Sequence, residues 1–382
     1  MGLYYRLDKI LCKVNPYVDD IEYGAEWFIE HDFDVEEIRL INGKFEELYR
    51  MACKPISCVL WPAVYEYYDE ITEKLGLLYK IKSVKDYQFK EETFEKAVRG
   101  IYYIDDIESW KIDKKIEYLK LFPSKTIRMI ELDIPKPEFR LKSANNHTIV
   151  TEGESIKRIF RNCYKKYVDN YFYDIIMHTG DNYEQSEYIL NLFKQEFSLR
   201  DYFKEIGQYR WIVIKTDTPT MPDDFPEAYP FSKDIDIICM DEDYEAIIGK
   251  TVEFLKESMG GMRKISVISG RGKTQIRVEQ NGYLIFLFDI ARKLPQIEDG
   301  FIKHSIEQRE YINGYYIAKK KHELIYRMYE YITCPTKKQH FVYLKENRDS
   351  WNLEEAVKAL PNLRDIVEQK SQEIFALKKP YI

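Results

Sequence analysis

A chain of 382 residues with 45% hydrophobic and 32% charged residues is long enough to bury the cores of two ordinary domains. The net charge of −7, from 58 basic and 65 acidic residues, argues against bulk electrostatic binding of nucleic acid. Apolar runs fall short of the roughly 18 residues that a membrane span needs, and neither a signal peptide nor paired C-x-x-C spacing is present. These features predict a soluble, reduced, cytoplasmic protein.

The first 182 residues are predicted to form an α/β domain, because short apolar strands alternate with helical patterns. A helical scatter of apolar residues covers 20–41, and further helices are predicted at Val64–Leu75 and from Thr151. The predicted strands are Cys58–Trp61, Gly100–Ile104, Thr126–Ile134 and Tyr171–Met177.

Polar residues follow two of these predicted strands. Asp105 and Asp106 come after the strand at 100–104, and His178 comes after the strand that ends at Met177. Polar side chains at the carboxyl ends of strands occupy the usual ligand position of α/β sheets. An enzyme site in this first domain therefore stays open as an alternative, while Asp181 or Asn182 is interpreted as the N-cap of the next helix.

Residues 183–299 are predicted to form a second domain around a mixed sheet. Helices are expected from Glu184 to about Phe203 and from Asp243 to Ser258, and Asn281-Gly282 is a strong signal for a two-residue hairpin turn. Strands are expected at 209–215, 234–240, 264–268, 274–278 and 283–290.

Two aspartates lie two residues apart in the apolar run Lys233–Cys239, which is typical of a buried strand. Because side chains alternate along a strand, Asp234 and Asp236 are expected on one face. A third acid, Asp289, follows the apolar run at 283–288. Neighbouring carboxylates repel each other unless a cation joins them, and Mg²⁺ or Mn²⁺ is the natural partner of carboxylate oxygens.

The phrase Phe231-Ser232-Lys233-Asp234-Ile235-Asp236, with a later aspartate on a neighbouring strand, resembles the nucleotidyltransferases of the DNA polymerase β superfamily. That superfamily includes the LicD- and fukutin-type transferases. The resemblance covers about residues 184–290 and implies that the strands at 209–215, 234–240 and 283–290 are neighbours in one sheet. It also implies that residues 300–382 form a helical region covering the sheet.

The same resemblance implies an activity. Asp234, Asp236 and Asp289 would hold one or two Mg²⁺ or Mn²⁺ ions, and Asp289 would double as the catalytic base. The donor would be a nucleotide or a nucleotide-sugar. The acceptor would be a hydroxyl group, such as that of a sugar in surface-polysaccharide biosynthesis.

One departure from the family concerns the turn after the strand at 209–215, where the family has Gly-Ser and this chain has Lys215-Thr216. We therefore expect positive and hydroxyl groups near the acids to hold phosphate in place of that glycine, from Lys215, Thr216, Arg271 and Lys273. We also expect that no lysine or arginine neutralises the three acids. The missing Gly-Ser favours an alternative function, a non-catalytic transferase-like scaffold used for binding or assembly.

Overall fold

The computed structural model describes residues 55–105, 107–134, 139–142, 147–260 and 263–375. The helix predicted over 20–41 and the predicted site residue Asp106 lie outside these ranges. The described residues divide into two compact units, one ending at Lys194 and one beginning at Gln195. None of the helices in the described ranges combines the length and the apolar character of a membrane span.

The first unit contains a four-stranded antiparallel sheet in the order β2-β3-β1-β6, and a separate two-stranded ribbon, β4-β5. Its strands are β1 (Ile56–Leu60), β2 (Lys80–Gln88), β3 (Thr126–Asp133), β4 (Phe139–Lys142), β5 (His147–Val150) and β6 (Met177–Thr179). Its helices are α1 (Tyr68–Leu78), α2 (Glu91–Ile101), α3 (Ser109–Leu119), α4 (Thr151–Tyr164) and α5 (Tyr183–Leu192).

Two strands predicted in this unit are wrong. The run at 100–104 begins in the last turn of α2, where Phe94, Ala97 and Ile101 share one buried helical face, and it continues into a turn after Ile101. The run at 171–177 is interrupted by left-handed backbone at Tyr173 and Asp174, and the strand begins only at Met177. The other two predicted strands and the helix from Thr151 are confirmed.

The second unit is built on a seven-stranded mixed sheet in the order β12-β13-β7-β8-β11-β10-β9. Its strands are β7 (Trp211–Ile214), β8 (Asp234–Cys239), β9 (Arg263–Gly270), β10 (Lys273–Gln280), β11 (Tyr283–Ala291), β12 (Glu310–Ile312) and β13 (Tyr315–Ile317). Its helices are α6 (Leu199–Glu205), α7 (Tyr244–Ser258), α8 (Asp299–Glu307), α9 (Lys320–Thr333), α10 (Lys338–Glu346), α11 (Leu353–Ala359) and α12 (Arg364–Phe375).

This sheet confirms the expected neighbours, because β8 lies between β7 and β11. The pairing of β8 with β11 is parallel and that with β7 is antiparallel. The mixed α/β fold class is likewise confirmed. The region from residue 300 also adds two strands that the sequence did not indicate, because β13 pairs with β7 and extends the same sheet.

Alternation along the central strands divides the core between the two faces of the sheet. Ile212, Ile214 and Ile238 pack into one apolar cluster with residues of the carboxyl-terminal helices, from α8 to α12. On the other face the ring of Tyr202 in α6 packs against Phe288, with ring centroids 4.4 Å apart. Because Asp236 lies two residues before Ile238, its side chain points towards the carboxyl-terminal helices.

Candidate functional site: three aspartates under a helix

The strand register brings the three predicted acids together. Asp236 is opposite Asp289 on the parallel strand β11 and opposite Ile214 on β7. Asp234 precedes Asp236 by two residues and shares its face of β8. One carboxylate oxygen from each of the three residues lies within 4.8 Å of the others.

Burial of these acids increases from Asp234 to Asp289. Asp234 is exposed, whereas the side chains of Asp236 and Asp289 are 18% and 5% exposed. Burial raises the pKa of Asp236 to about 6; Lys215 opposes this shift, and the charges of Asp234 and Asp289 add to it. Atom Oδ1 of Asp289 is buried and accepts no hydrogen bond from any described residue. The cluster thus contains a carboxylate oxygen that lacks a partner.

Two lysines contact the cluster, so the expectation that no lysine or arginine neutralises the acids is wrong. The Nζ atom of Lys215 is 2.8 Å from Asp236 Oδ1 and 3.1 Å from Glu330 Oε1. Lys273 Nζ is 2.5 Å from Asp289 Oδ2. Burial alone would lower the pKa of Lys215, but Asp236 and Glu330 outweigh it and raise that pKa above its ordinary value. The two lysines differ in solvent exposure, since the side chain of Lys215 is 9% exposed and that of Lys273 is 45% exposed.

The other two residues expected near phosphate take different positions. Thr216 is a hydrogen-bond partner of Tyr315, at the edge of β13. Arg271 is exposed in the turn between β9 and β10, and it forms no ion pair with any residue that the structure describes. The structure therefore brings Lys215 and Lys273 to the acids, whereas it records no contact of Thr216 or Arg271 with them.

Helix α9 covers the acids and supplies residues that sequence reasoning missed. A cavity of about 30 Å³ is lined by Asp236 and Asp289 on the sheet and by Tyr326, Tyr329 and Glu330 on α9. This volume suits an ion or a water molecule. The signal available in the sequence was the spacing of Glu323, Arg327 and Glu330, which places two acids and a base on one face of α9.

A buried ion pair of α9 holds the turn that follows β7. Glu323 Oε1 accepts hydrogen bonds from the backbone N–H of Lys215 at 3.0 Å and from Arg327 Nε at 2.6 Å. Arg327 also donates to Asp217 Oδ1 at 2.5 Å. Burial raises the pKa of Glu323, and Arg327 opposes that shift.

Lys215 adopts a φ of 63°, a left-handed conformation that glycine reaches without strain. The turn thus carries a lysine side chain on a backbone conformation that favours glycine. This conformation costs roughly 1 to 2 kcal/mol for a residue that has a Cβ atom. The side chain offsets this strain through its contacts with Asp236 and Glu330.

The donor set fits a hard divalent cation. Three carboxylates, one of them with an unpartnered buried oxygen, match the oxygen ligands that Mg²⁺ and Mn²⁺ prefer. Because Mg²⁺ binds oxygen at about 2.0 to 2.1 Å, small side-chain movements would bring these atoms to one ion. Lys273, the more exposed lysine, is the cation that such an ion would displace.

The alternative site in the first unit is enclosed. His178 lies within β6 rather than after a strand, and it is 5% exposed. Its Nε2 is 3.7 Å from Asp105 Oδ2. Burial, with Lys157 and Lys115 nearby, lowers the pKa of His178 well below its ordinary value. The side chain is therefore a neutral imidazole beside a carboxylate. The predicted N-cap role of Asn182 is confirmed by its bond from Gln185 N–H.

No protein-family model and no curated protein matches this chain. Among solved structures, the chain is similar to the Megavirus polyadenylate synthase at 12% sequence identity with a TM-score of 0.22. The match covers 99% of this chain and 66% of that structure, so this chain spans less than two thirds of its length. At this TM-score the similarity carries no argument about function.

Proposed function

We propose that the second unit is a metal-dependent transferase that moves a nucleotidyl or phosphoryl-linked group onto a hydroxyl acceptor. One observation carries the proposal: Asp236 faces Asp289 on the neighbouring parallel strand, and with Asp234 they offer three oxygens within 4.8 Å of one another. Such a cluster costs folding free energy, and a bound divalent cation would compensate for that cost.

The three acids divide the roles by their burial. Asp234, Asp236 and Asp289 hold the cation, and the unpartnered Oδ1 of Asp289 also accepts the proton of the attacking hydroxyl. When bound, the metal ion lowers the pKa of that hydroxyl and neutralises charge on the phosphate. Lys215 stays fixed between Asp236 and Glu330, so it orients Asp236.

The donor is a nucleotide or a nucleotide-sugar, and the acceptor is a hydroxyl such as that of a sugar. The cavity of about 30 Å³ is too small for the whole donor. The donor's phosphates therefore approach from the side of the exposed Asp234. Lys273 is exposed enough to leave Asp289 and contact those phosphates, which keeps the positive charge that a polyphosphate needs beside three acids.

The test is a transfer assay with labelled nucleoside triphosphates, nucleotide-sugars and a panel of sugar acceptors, in Mg²⁺ or Mn²⁺. Asp289→Asn should lower the rate by at least about a hundredfold, because the general base typically contributes 10²- to 10⁴-fold. The matched control is Asp201→Asn, at an exposed aspartate of α6 that pairs with Lys204. Equal rates in the two variants would contradict the assignment of the acids.

The contacts of Lys215 and Lys273 favour a second candidate, a non-catalytic scaffold in which the acids belong to an internal ion-pair network. The turn at Lys215 is already fastened to α9, as expected of a structural element. This candidate predicts that Mn²⁺ leaves the melting temperature of the wild-type protein unchanged.

A third candidate is catalysis at His178 in the first unit. It predicts that His178→Ala abolishes transfer while Asp236→Ala does not.

A further inference from the structure

A second group of metal-binding side chains lies among the carboxyl-terminal helices. His304 comes from α8, His322 from the first turn of α9 and Glu355 from α11. One ligand atom from each lies within 4.8 Å of the others. His304 and His322 are about 18 positions apart in the sequence, and His322 and Glu355 are about 33 apart. These spacings are too long for a short metal-binding motif.

His322 is the centre of this group. It is fully buried, and its Nε2 lies 3.2 Å from Glu355 Oε1 without the alignment of a hydrogen bond. Its Nδ1 has no hydrogen-bond partner among the residues that the structure describes. A buried imidazole ring whose two nitrogens both lack a hydrogen bond lowers the free energy of unfolding, unless a ligand binds the free lone pair of the ring.

The surroundings of His322 restrict the orientation of its ring. On one side it packs against the edge of Phe301, at a centroid distance of 5.5 Å, which fixes its orientation.

We propose that His304, His322 and Glu355 bind a transition-metal ion of the zinc class, which fastens α8, α9 and α11 together. Two imidazoles with one carboxylate form a mixed nitrogen and oxygen set that suits Zn²⁺ better than Mg²⁺. Ligands of one tetrahedral zinc lie about 3.4 Å apart, so the present spacing needs only a small closure. His304 is the most exposed of the three, which leaves an entry path and a position for water.

One lysine competes with the ion for Glu355. Lys321 Nζ is 3.1 Å from Glu355 Oε1 and 3.4 Å from Oε2. Its side chain is 41% exposed, so it can turn to solvent when the ion binds. Removal of this amine should therefore strengthen metal binding, an outcome that a purely structural ion pair does not predict.

The experiment uses the full chain carrying Asp236→Asn, so that the aspartate cluster is disabled, and titrates it with Co²⁺ and then Zn²⁺ after chelation. We expect one equivalent of Co²⁺ with a visible absorption band of nitrogen coordination, and its displacement by Zn²⁺. Glu355→Gln and His304→Gln should each weaken binding by at least about tenfold. Lys321→Met should strengthen it, and Glu354→Gln is the matched control, an exposed acid on the same helix.

Each outcome bears on the proposal. Absence of Co²⁺ uptake in the parent protein would overturn it, and so would uptake that survives both Glu355→Gln and His304→Gln. If Glu355→Gln, at a side chain that is only 21% exposed, does not fold, His304→Gln decides alone, because His304 is the more exposed residue. Binding that is lost in Glu355→Gln and kept in Glu354→Gln supports the site.

Discussion

Asp236 is the residue at which burial, two acidic neighbours and one lysine act on the same charge. Its folded pKa of about 6 lies above its ordinary value of 3.8. The folded protein therefore holds this proton up to about pH 6, whereas the unfolded chain releases it near pH 4. Protonation of Asp236 therefore contributes its full share to the free energy of unfolding below about pH 4. That contribution is lost as the pH rises through 6.

We predict that Asp236→Asn raises the free energy of unfolding by about 1 to 2 kcal/mol at pH 7 and changes it little at pH 4. This gain is smaller than the full pKa shift of Asp236 implies, because the neutral amide of asparagine interacts less strongly with Lys215 than the carboxylate does. Urea denaturation at the two pH values measures it. Asp241→Asn, at an exposed acid paired with Arg292, should stay within about 0.5 kcal/mol at both.

Addition of Mn²⁺ should reverse this order, because a bound cation stabilises the wild-type protein and not the variant. A lower melting temperature for Asp236→Asn in the absence of metal would show instead that the acid is needed for its pair with Lys215.

At the residue scale, the acids and the nearness of Lys215 and Lys273 to them were predictable, whereas the ion pairs that these lysines form were not. The Asp-x-Asp spacing in an apolar run determines that both side chains share a face, whatever the fold. The contact between Lys215 and Glu330 joins residues more than a hundred positions apart. The local sequence pattern contains no information about such a pair. For this reason Lys215 was expected to contact phosphate rather than an acidic side chain.

At the scale of elements, α9 links the two groups of candidate ligands. Its first turn carries His322, and its later turns carry the residues that cover Asp236 and Asp289. Between them Glu323 and Arg327 hold the turn that begins at Lys215. The helix is therefore more than a cover for the apolar sheet.

We predict that Arg327→Met lowers the free energy of unfolding by about 3 kcal/mol, because it leaves Glu323 buried without its partner. The double variant with Glu323→Gln should recover a large part of that loss, since no buried charge remains unpaired. Urea denaturation of the two single variants and the double variant measures the coupling. If the losses of unfolding free energy in the two single variants simply add in the double variant, the proposed interaction between Glu323 and Arg327 is contradicted.

Elements with several agreeing signals were predicted well. β8, β10 and β11 combine apolar runs with a strong turn, and Asn281 and Gly282 both adopt the positive φ that this turn requires. Short apolar runs were less decisive, because Gly100–Ile104 fits a strand and a helix end equally well. Within the predicted helical region, α11 ends at Ala359 and α12 begins at Arg364, because Pro361 cannot continue the first helix.

At the scale of the whole molecule, the chain forms two units, and the residues of both candidate metal sites lie in the second. The sequence placed a boundary at residue 182, between the predicted strand and the following helix. The structure places α5 with the first unit, which ends at Lys194. The boundary at Lys194 lies between α5 and α6, and neither proline nor glycine marks it in the sequence.

The fragment 195–382 should therefore fold cooperatively and bind Mn²⁺ with a dissociation constant within about threefold of that of the full chain, a difference below about 1 kcal/mol. The reason is that Asp234, Asp236, Asp289 and the contacting Lys215 and Lys273 belong to one unit with its own core. Isothermal titration of both proteins measures this, with the Asp236→Asn fragment as the control. A fragment that folds and binds Mn²⁺ more than tenfold more weakly would mean that the first unit contributes to the site. Activity that is lost while Mn²⁺ binding is kept would assign acceptor or donor recognition to the first unit.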